Sequence, residues 1–190
     1  MKKKVAILAS GNGTNAENII RYFSGSETAC VNLLIANRKD AYALERAKRL
    51  GVPSVYMGKD EWKEGANVLG LLRREGVDFV VLAGFLARVP QAVIDAFPRR
   101  IVNIHPALLP KFGGKGMYGS HVHEAVLAAG EKESGITIHY INEHYDEGDI
   151  VAQFRCEVLP GDTPDELASR VHALEYKHFP EVVERLVTAL

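Results

Sequence analysis

Short apolar runs alternate with helical patterns along most of the chain, and this alternation restricts the fold more than any other feature. Val5–Ala9 is an unbroken apolar run, and Asn15–Phe23 follows with Ile19, Ile20 and Phe23 at helical spacing. Val31–Ala36 and Ala41–Leu50 repeat the pair, the helix stopped by Gly51 with Lys48 and Arg49 in its last turn. Ser54–Tyr56 precedes a helix expected over Glu61–Glu75. Phe79–Ala83 precedes another over Pro90–Phe97, with proline at the first helical position, where its missing N–H costs nothing. Phe79–Ala83 is apolar throughout, as a strand covered on both faces must be. Such a succession predicts an α/β fold: an open, mainly parallel twisted sheet with helices on both faces.

The pattern changes in the second half. Ile101–Ile104 reads as a fifth strand, and a loop holding Gly113, Gly114, Gly116 and Gly119 leads to a helix over about His121–Ala129. Gly135–Ile141 and Ile150–Val158 then alternate apolar and polar residues, which predicts an antiparallel edge near the C-terminus. Thr163, Pro164 and Glu166 form a near capping box for a last helix, with Leu167, Val171 and Leu174 as its apolar stripe and Pro180 as a kink or break. Open sheets of this kind bind ligands beyond the C-terminal ends of their strands.

With 190 residues, 47% of them hydrophobic, the chain can bury roughly 70% of its unfolded surface as one domain spanning residues 1–190. A formal net charge of −1 provides no basic face for nucleic acid. The apolar stretch after Lys2-Lys3-Lys4 is too short for a signal peptide, and the longest run, Phe79–Ala87, falls far short of the ~20 residues of a membrane span. Cys30 and Cys156 have no CxxC partner and read as buried thiols of a reducing compartment. A cytoplasmic protein, monomer or homodimer, is the expectation.

Two segments suggest chemistry. Ser10-Gly11-Asn12-Gly13-Thr14-Asn15 joins the first strand to the first helix, where glycines let the backbone approach a ligand and free N–H groups attract an anion. The segment is read as a phosphate site, against the simpler alternative of a turn capped by Thr14 or Asn15. It lacks the third glycine of a dinucleotide fingerprint and the Gly-Lys-Ser/Thr of a P-loop, so a single phosphate on a small molecule fits best. Asn103 and His105 are two apart on an extended backbone and so face one side. Together they offer two hydrogen-bond donors to a developing oxyanion, an arrangement suited to acyl or formyl transfer. Pro106 and Pro110 stiffen the exit from the strand. The competing reading is an Asn and a His that satisfy local backbone groups before a turn. His121 and His123 diverge by about 200° on a helix, which argues against a shared metal. His139 reads as structural, Thr137 as a support for a catalytic water, and Trp62 and Lys63 as surface.

Taken in order, the glycine loop Ser10–Asn15, Leu82-Ala83-Gly84-Phe85, Asn103-Ile104-His105-Pro106 with Leu108-Leu109-Pro110, Gly135–His139 and Asp146-x-Gly148 resemble the phosphoribosylglycinamide formyltransferase family, from first strand to last helix. The Asn-x-His-Pro and Asp elements also mark its wider superfamily, with transfer-RNA formylating and formyltetrahydrofolate-hydrolysing members. Transfer-RNA formylation goes with an added C-terminal domain and the hydrolases with an extra N-terminal one, neither of which is expected here. The resemblance implies Asn103, His105 and Asp146 as the catalytic set and no metal. It implies Gly11, Asn12, Gly13, Thr14 and Asn15 for the phosphate of glycinamide ribonucleotide, and Glu175 for its ribose hydroxyls. For the co-substrate 10-formyltetrahydrofolate it implies Phe85, Leu86, Ala87, Arg88 and Val89, with Asn103 and the loop Ile141, Asn142, Glu143, His144, Tyr145 and Asp146. Family members often carry an arginine where Ala87 stands, one position before Arg88, and the Lys111–Gly119 loop is longer and richer in glycine than in some members. The alternatives are another 10-formyltetrahydrofolate-dependent formyltransferase, a formyl hydrolase, or a non-catalytic sugar-phosphate-binding module.

Overall fold

The computed structural model describes residues 1–190. Seven strands form one sheet in the order β3-β2-β1-β4-β5-β6-β7, with β1 Lys3–Ala9, β2 Ala29–Ala36, β3 Ser54–Tyr56, β4 Phe79–Leu82, β5 Ile101–His105, β6 Glu133–Tyr140 and β7 Ile150–Glu157. β1 pairs in parallel with β2 and β4, and β2 in parallel with β3. β6 and β7 are antiparallel, as their apolar–polar alternation requires. Seven helices accompany the strands: α1 Thr14–Phe23, α2 Tyr42–Arg49, α3 Lys59–Lys63, α4 Ala66–Arg74, α5 Gln91–Ala96, α6 Ser120–Ala128 and α7 Pro164–Thr188. No helix is long and apolar enough to cross a membrane.

The chain resolves into two compact units, residues 1–102 with 180–190, and residues 103–179. In the first, Val5–Ala9 of β1 and Phe79–Leu82 of β4 are buried along their whole length, flanked by the Ala16, Ile19, Ile20 and Phe23 face of α1. These are the residues whose runs and spacing announced the elements. The helix expected over Glu61–Glu75 is instead two, α3 and α4, parted at Gly65, whose φ of +75° no α-helical residue adopts. Trp62 is not surface. It is buried on α3, 4.9 Å from the Phe85 ring, and its Nε1 donates to the Arg88 carbonyl at 2.8 Å. Cys30 and Cys156 are free thiols, half-buried instead of fully buried.

In the second unit, α7 starts at Pro164 behind a reciprocal box: Glu166 accepts from the Thr163 N–H at 2.8 Å, and its own N–H donates to Thr163 Oγ1 at 3.3 Å. Pro180 does not end the helix. It forfeits one hydrogen bond, but buried side chains anchor both sides, Val171 and Phe179 before it and Val182, Val183 and Val187 after. The buried stripe runs Leu167, Val171, Glu175, Phe179, a spacing of four that places a carboxylate where Leu174 was expected; Leu174 is only half-buried.

Candidate active site

β5 delivers its last residues as a functional pair. Asn103 is half-buried and His105 is 3% exposed. Asn103 Nδ2 donates to His139 Nε2 at 3.2 Å, and the other ring nitrogen of His139, Nδ1, donates to the Tyr140 carbonyl at 3.0 Å. The second carbonyl-facing imidazole is His105, whose Nε2–H donates to the Phe112 carbonyl at 2.6 Å. A carbonyl only accepts, so these partners fix the neutral tautomers: hydrogen on Nδ1 of His139 and on Nε2 of His105. One N–H of Asn103 is committed and one is left.

Asp146 lies between the two rings. Its Oδ2 is 3.6 Å from His105 Nδ1 and its Oδ1 is 3.6 Å from His139 Nε2, while the Gly114 N–H donates to Oδ2 at 2.9 Å. The chain reaches this position by two backbone devices. Asp146 has φ +56°, and Gly148 passes so close to the Tyr140 carbonyl that a Cβ there would overlap it. Burial pulls the Asp146 carboxyl up, but His139, His105 and the Gly114 N–H together outweigh it and hold the group below the usual carboxylate value. For His105 the balance goes the other way. Burial pushes the imidazole down from 6.5 and wins over the Asp146 charge and the Phe112 carbonyl. Desolvation thus outweighs the neighbouring Asp146 charge, and the resting ring at neutral pH is uncharged. A pocket of about 380 Å³ opens beside Asp146, with Leu109, Pro110, Tyr145 and Ile150 on its walls.

Thr137 has no capacity left for a water. Its Oγ1 donates to the Ala107 carbonyl and accepts from the Leu109 N–H and from Gln153 Nε2, at 2.7, 3.0 and 2.9 Å. It ties down the segment after His105. Of the two α6 histidines, His121 is exposed and His123 buried, the divergence that their spacing demands. Glu175 is 4% exposed and accepts from His172 Nδ1 at 2.9 Å.

In the first unit, the glycine loop begins at the buried Ser10, whose Oγ donates to Asn37 Oδ1 at 2.6 Å and accepts from the Leu86 N–H at 2.8 Å. Gly13 has φ +77° and stands directly before α1, so the N-cap position falls to a glycine and not to Thr14 or Asn15. The N–H groups of Gly11, Asn12, Gly13 and Thr14 donate to no other group of the chain. Of the segment expected to meet folate, Phe85 and Val89 are buried, leaving Leu86, Ala87 and Arg88 to present side chains outward. In the second unit Glu143, His144 and Tyr145 are exposed, with Ile141 and Asn142 partly so.

Residues 3–183 match the family model described as formyl transferase. The chain is 47% identical over 188 residues to the chloroplastic phosphoribosylglycinamide formyltransferase of Arabidopsis thaliana, an alignment covering 96% of this chain but 64% of that one, so the chain spans less than two thirds of that relative. It is 36% identical over 187 residues to the phosphoribosylglycinamide formyltransferase of Haemophilus influenzae, covering 96% of this chain and 86% of the other. Among solved structures it resembles glycinamide ribonucleotide transformylase 1 from Symbiobacterium toebii, with TM-score 0.90, 35% identity and coverage of 99% and 89%. It also resembles the phosphoribosylglycinamide formyltransferase of Streptococcus pneumoniae, with TM-score 0.86, 39% identity and coverage of 98% and 99%.

Proposed function

The chain belongs to the formyl transferase family, among the phosphoribosylglycinamide formyltransferases, and we propose that it moves a formyl group from 10-formyltetrahydrofolate to the amine of 5-phosphoribosylglycinamide in purine biosynthesis. The observation that carries the reading is the Asp146 carboxylate seated between two imidazoles, with the Asn103 amide on one of them. The amine nitrogen attacks the formyl carbon, the bond from that carbon to the folate nitrogen breaks, and the proton leaving the amine ends on the folate nitrogen. Negative charge gathers on the formyl oxygen in between. The remaining N–H of Asn103 and the Nε2–H of His105 are the donors for it, the latter by exchanging the Phe112 carbonyl for a charged acceptor that takes a stronger bond. Asp146, ionised and facing both rings, assists the proton's passage.

The unbonded N–H groups of Gly11–Thr14 support placing the substrate phosphate there, and the buried Glu175 supports a ribose contact from α7. The outward side chains of Leu86–Arg88 and the 141–146 loop are assigned to folate. The match over residues 3–183 supports reading the chain as one formyltransferase domain; its action in the cytoplasm, on small molecules and without a metal, is part of the same proposal. The test is turnover of 10-formyltetrahydrofolate followed by absorbance, with and without glycinamide ribonucleotide. Loss of the formyl group only when both are present is expected. Loss without the ribonucleotide would make the chain a hydrolase, and no loss at all would leave a binding module.

A further inference from the structure

A cluster of arginines stands beside the glycine loop, and the phosphate reading makes no use of it. Glu17, one turn into α1, takes Arg21 from its own helix at 2.8 Å and Arg46 from α2 at 2.5 Å, with Arg49 at 3.8 Å. Three cations around one carboxylate leave an excess of two positive charges at this end of the helix. Arg46 does more than meet Glu17. Its Nε donates to the Asn12 carbonyl at 2.7 Å and its Nη2 to Asn12 Oδ1 at 2.9 Å, so the guanidinium grips one loop residue by backbone and side chain together. The Tyr42 ring lies 4.9 Å from the Arg46 guanidinium carbon and 5.5 Å from that of Arg49, which holds both in place.

The grip has a directional result. The Gly11 carbonyl accepts from the Ala43 N–H of α2 at 3.1 Å, and the Asn12 carbonyl accepts from Arg46. In a trans peptide the carbonyl and the following N–H point opposite ways. With both carbonyls turned to α2, the N–H groups of Asn12 and Gly13 are turned away from it, toward the open side of the loop. Gly13 seals the arrangement, because a Cβ there would lie 2.6 Å from the Ala43 Cβ.

We infer that Arg46 is a positioning residue that sets the loop's affinity for a phosphate monoester, and that Glu17 is the counter-charge that moderates it; the inference rests on the phosphate reading above. Every Arg46 nitrogen already has a partner, so it acts through the loop's geometry and through the field of the cluster, not by touching the phosphate. The two partners then have opposite signs. Arg46→Lys keeps the charge but loses the fork, and weakens phosphate binding. Glu17→Gln keeps the shape but uncovers the cations, and tightens it. Arg49→Gln removes one exposed charge that makes no hydrogen bond, and weakens binding without disturbing the loop. At low ionic strength charge changes of this kind alter affinity by roughly three- to tenfold, and they fade as salt shortens the Debye length to ~3 Å at 1 M.

The experiment is a nitrogen-15 chemical-shift titration of the wild type and the three variants with inorganic phosphate and with glycinamide ribonucleotide, following the Gly11–Thr14 amides at low and high salt. Expected are saturable shifts of those amides, tighter for Glu17→Gln, weaker for Arg46→Lys and Arg49→Gln, with the Glu17 and Arg49 effects lost at high salt. If the wild type responds but Glu17→Gln weakens binding in step with Arg46→Lys, or Arg49→Gln changes nothing, the cluster is scaffolding and the inference is overturned. If the wild-type amides respond to neither probe, the phosphate reading itself falls, and the inference with it.

Discussion

At the scale of single residues, the proposed chemistry rests on donors whose value appears only when charge develops. Asn103→Ala and His105→Ala should each reduce kcat by ~10²–10³ with a much smaller change in KM, since removal of one oxyanion donor has that magnitude. Steady-state kinetics in both substrates checks this, and near-normal turnover in either variant would sink the oxyanion assignment. Asp146 makes a separate prediction with a definite sign. Its charge is the largest influence holding the His105 pKa up against burial. Asp146→Asn should therefore drop that pKa further below 6.5, so the ring stays neutral to lower pH. A proton NMR titration of the His105 ring reads it directly; an unchanged value would mean that the two groups do not communicate. The grouping of Asn103, His105 and Asp146 was legible in a short motif and in the family resemblance, which also named Glu175. The burial of Trp62 and of Glu175 was not. The burial of Trp62 depends on Arg88 and Phe85, more than twenty residues away, and a neighbouring leucine masked the every-fourth spacing that puts Glu175 on the inner face of α7.

Among the elements, strands were easier to read than helix ends. Five runs became strands within a residue or two, and the two of uninterrupted apolar sequence, Val5–Ala9 and Phe79–Leu82, are buried along their whole length. The helix over 61–75 was misread because one glycine in a helical pattern is usually tolerated, and only its positive φ reveals the break between α3 and α4. The turn between β6 and β7 carries the sharpest element-level prediction. Tyr140 N–H donates to the Asp149 carbonyl at 2.9 Å, and Gly148 leaves no space for a side chain against the Tyr140 carbonyl. Gly148→Ala should force the turn apart, lowering stability by about 1–3 kcal/mol, the usual range for overpacking. It should also move Asp146, so turnover should fall by more than the lost stability explains. Thermal unfolding and single-turnover rates on the folded variant separate the two effects, and a variant with normal turnover would show that Asp146 tolerates displacement.

For the whole molecule, alternating strand and helix predicted an α/β sheet, and the apolar–polar alternation predicted its antiparallel edge; both are found. The sequence pattern could not foresee that α7 runs on through Pro180, because a proline inside a helix reads as a stop unless buried residues on both sides hold it. Substrate binding should be visible at this scale as well. A ligand held by the native state alone stabilises it by about 2.7 kcal/mol at a hundred times its Kd. Glycinamide ribonucleotide at that excess should raise the melting temperature by ~5–11 °C. Gly13→Val should remove most of the gain, and an undiminished gain would move the phosphate away from the loop. The bond from His105 to the Phe112 carbonyl has a further consequence. On the proposed mechanism the chain carries an internal surrogate for the formyl oxygen, and an incoming donor must compete with it. Water entering alone offers the imidazole no better acceptor than the one it already has, so the resting enzyme is latched against squandering the formyl group.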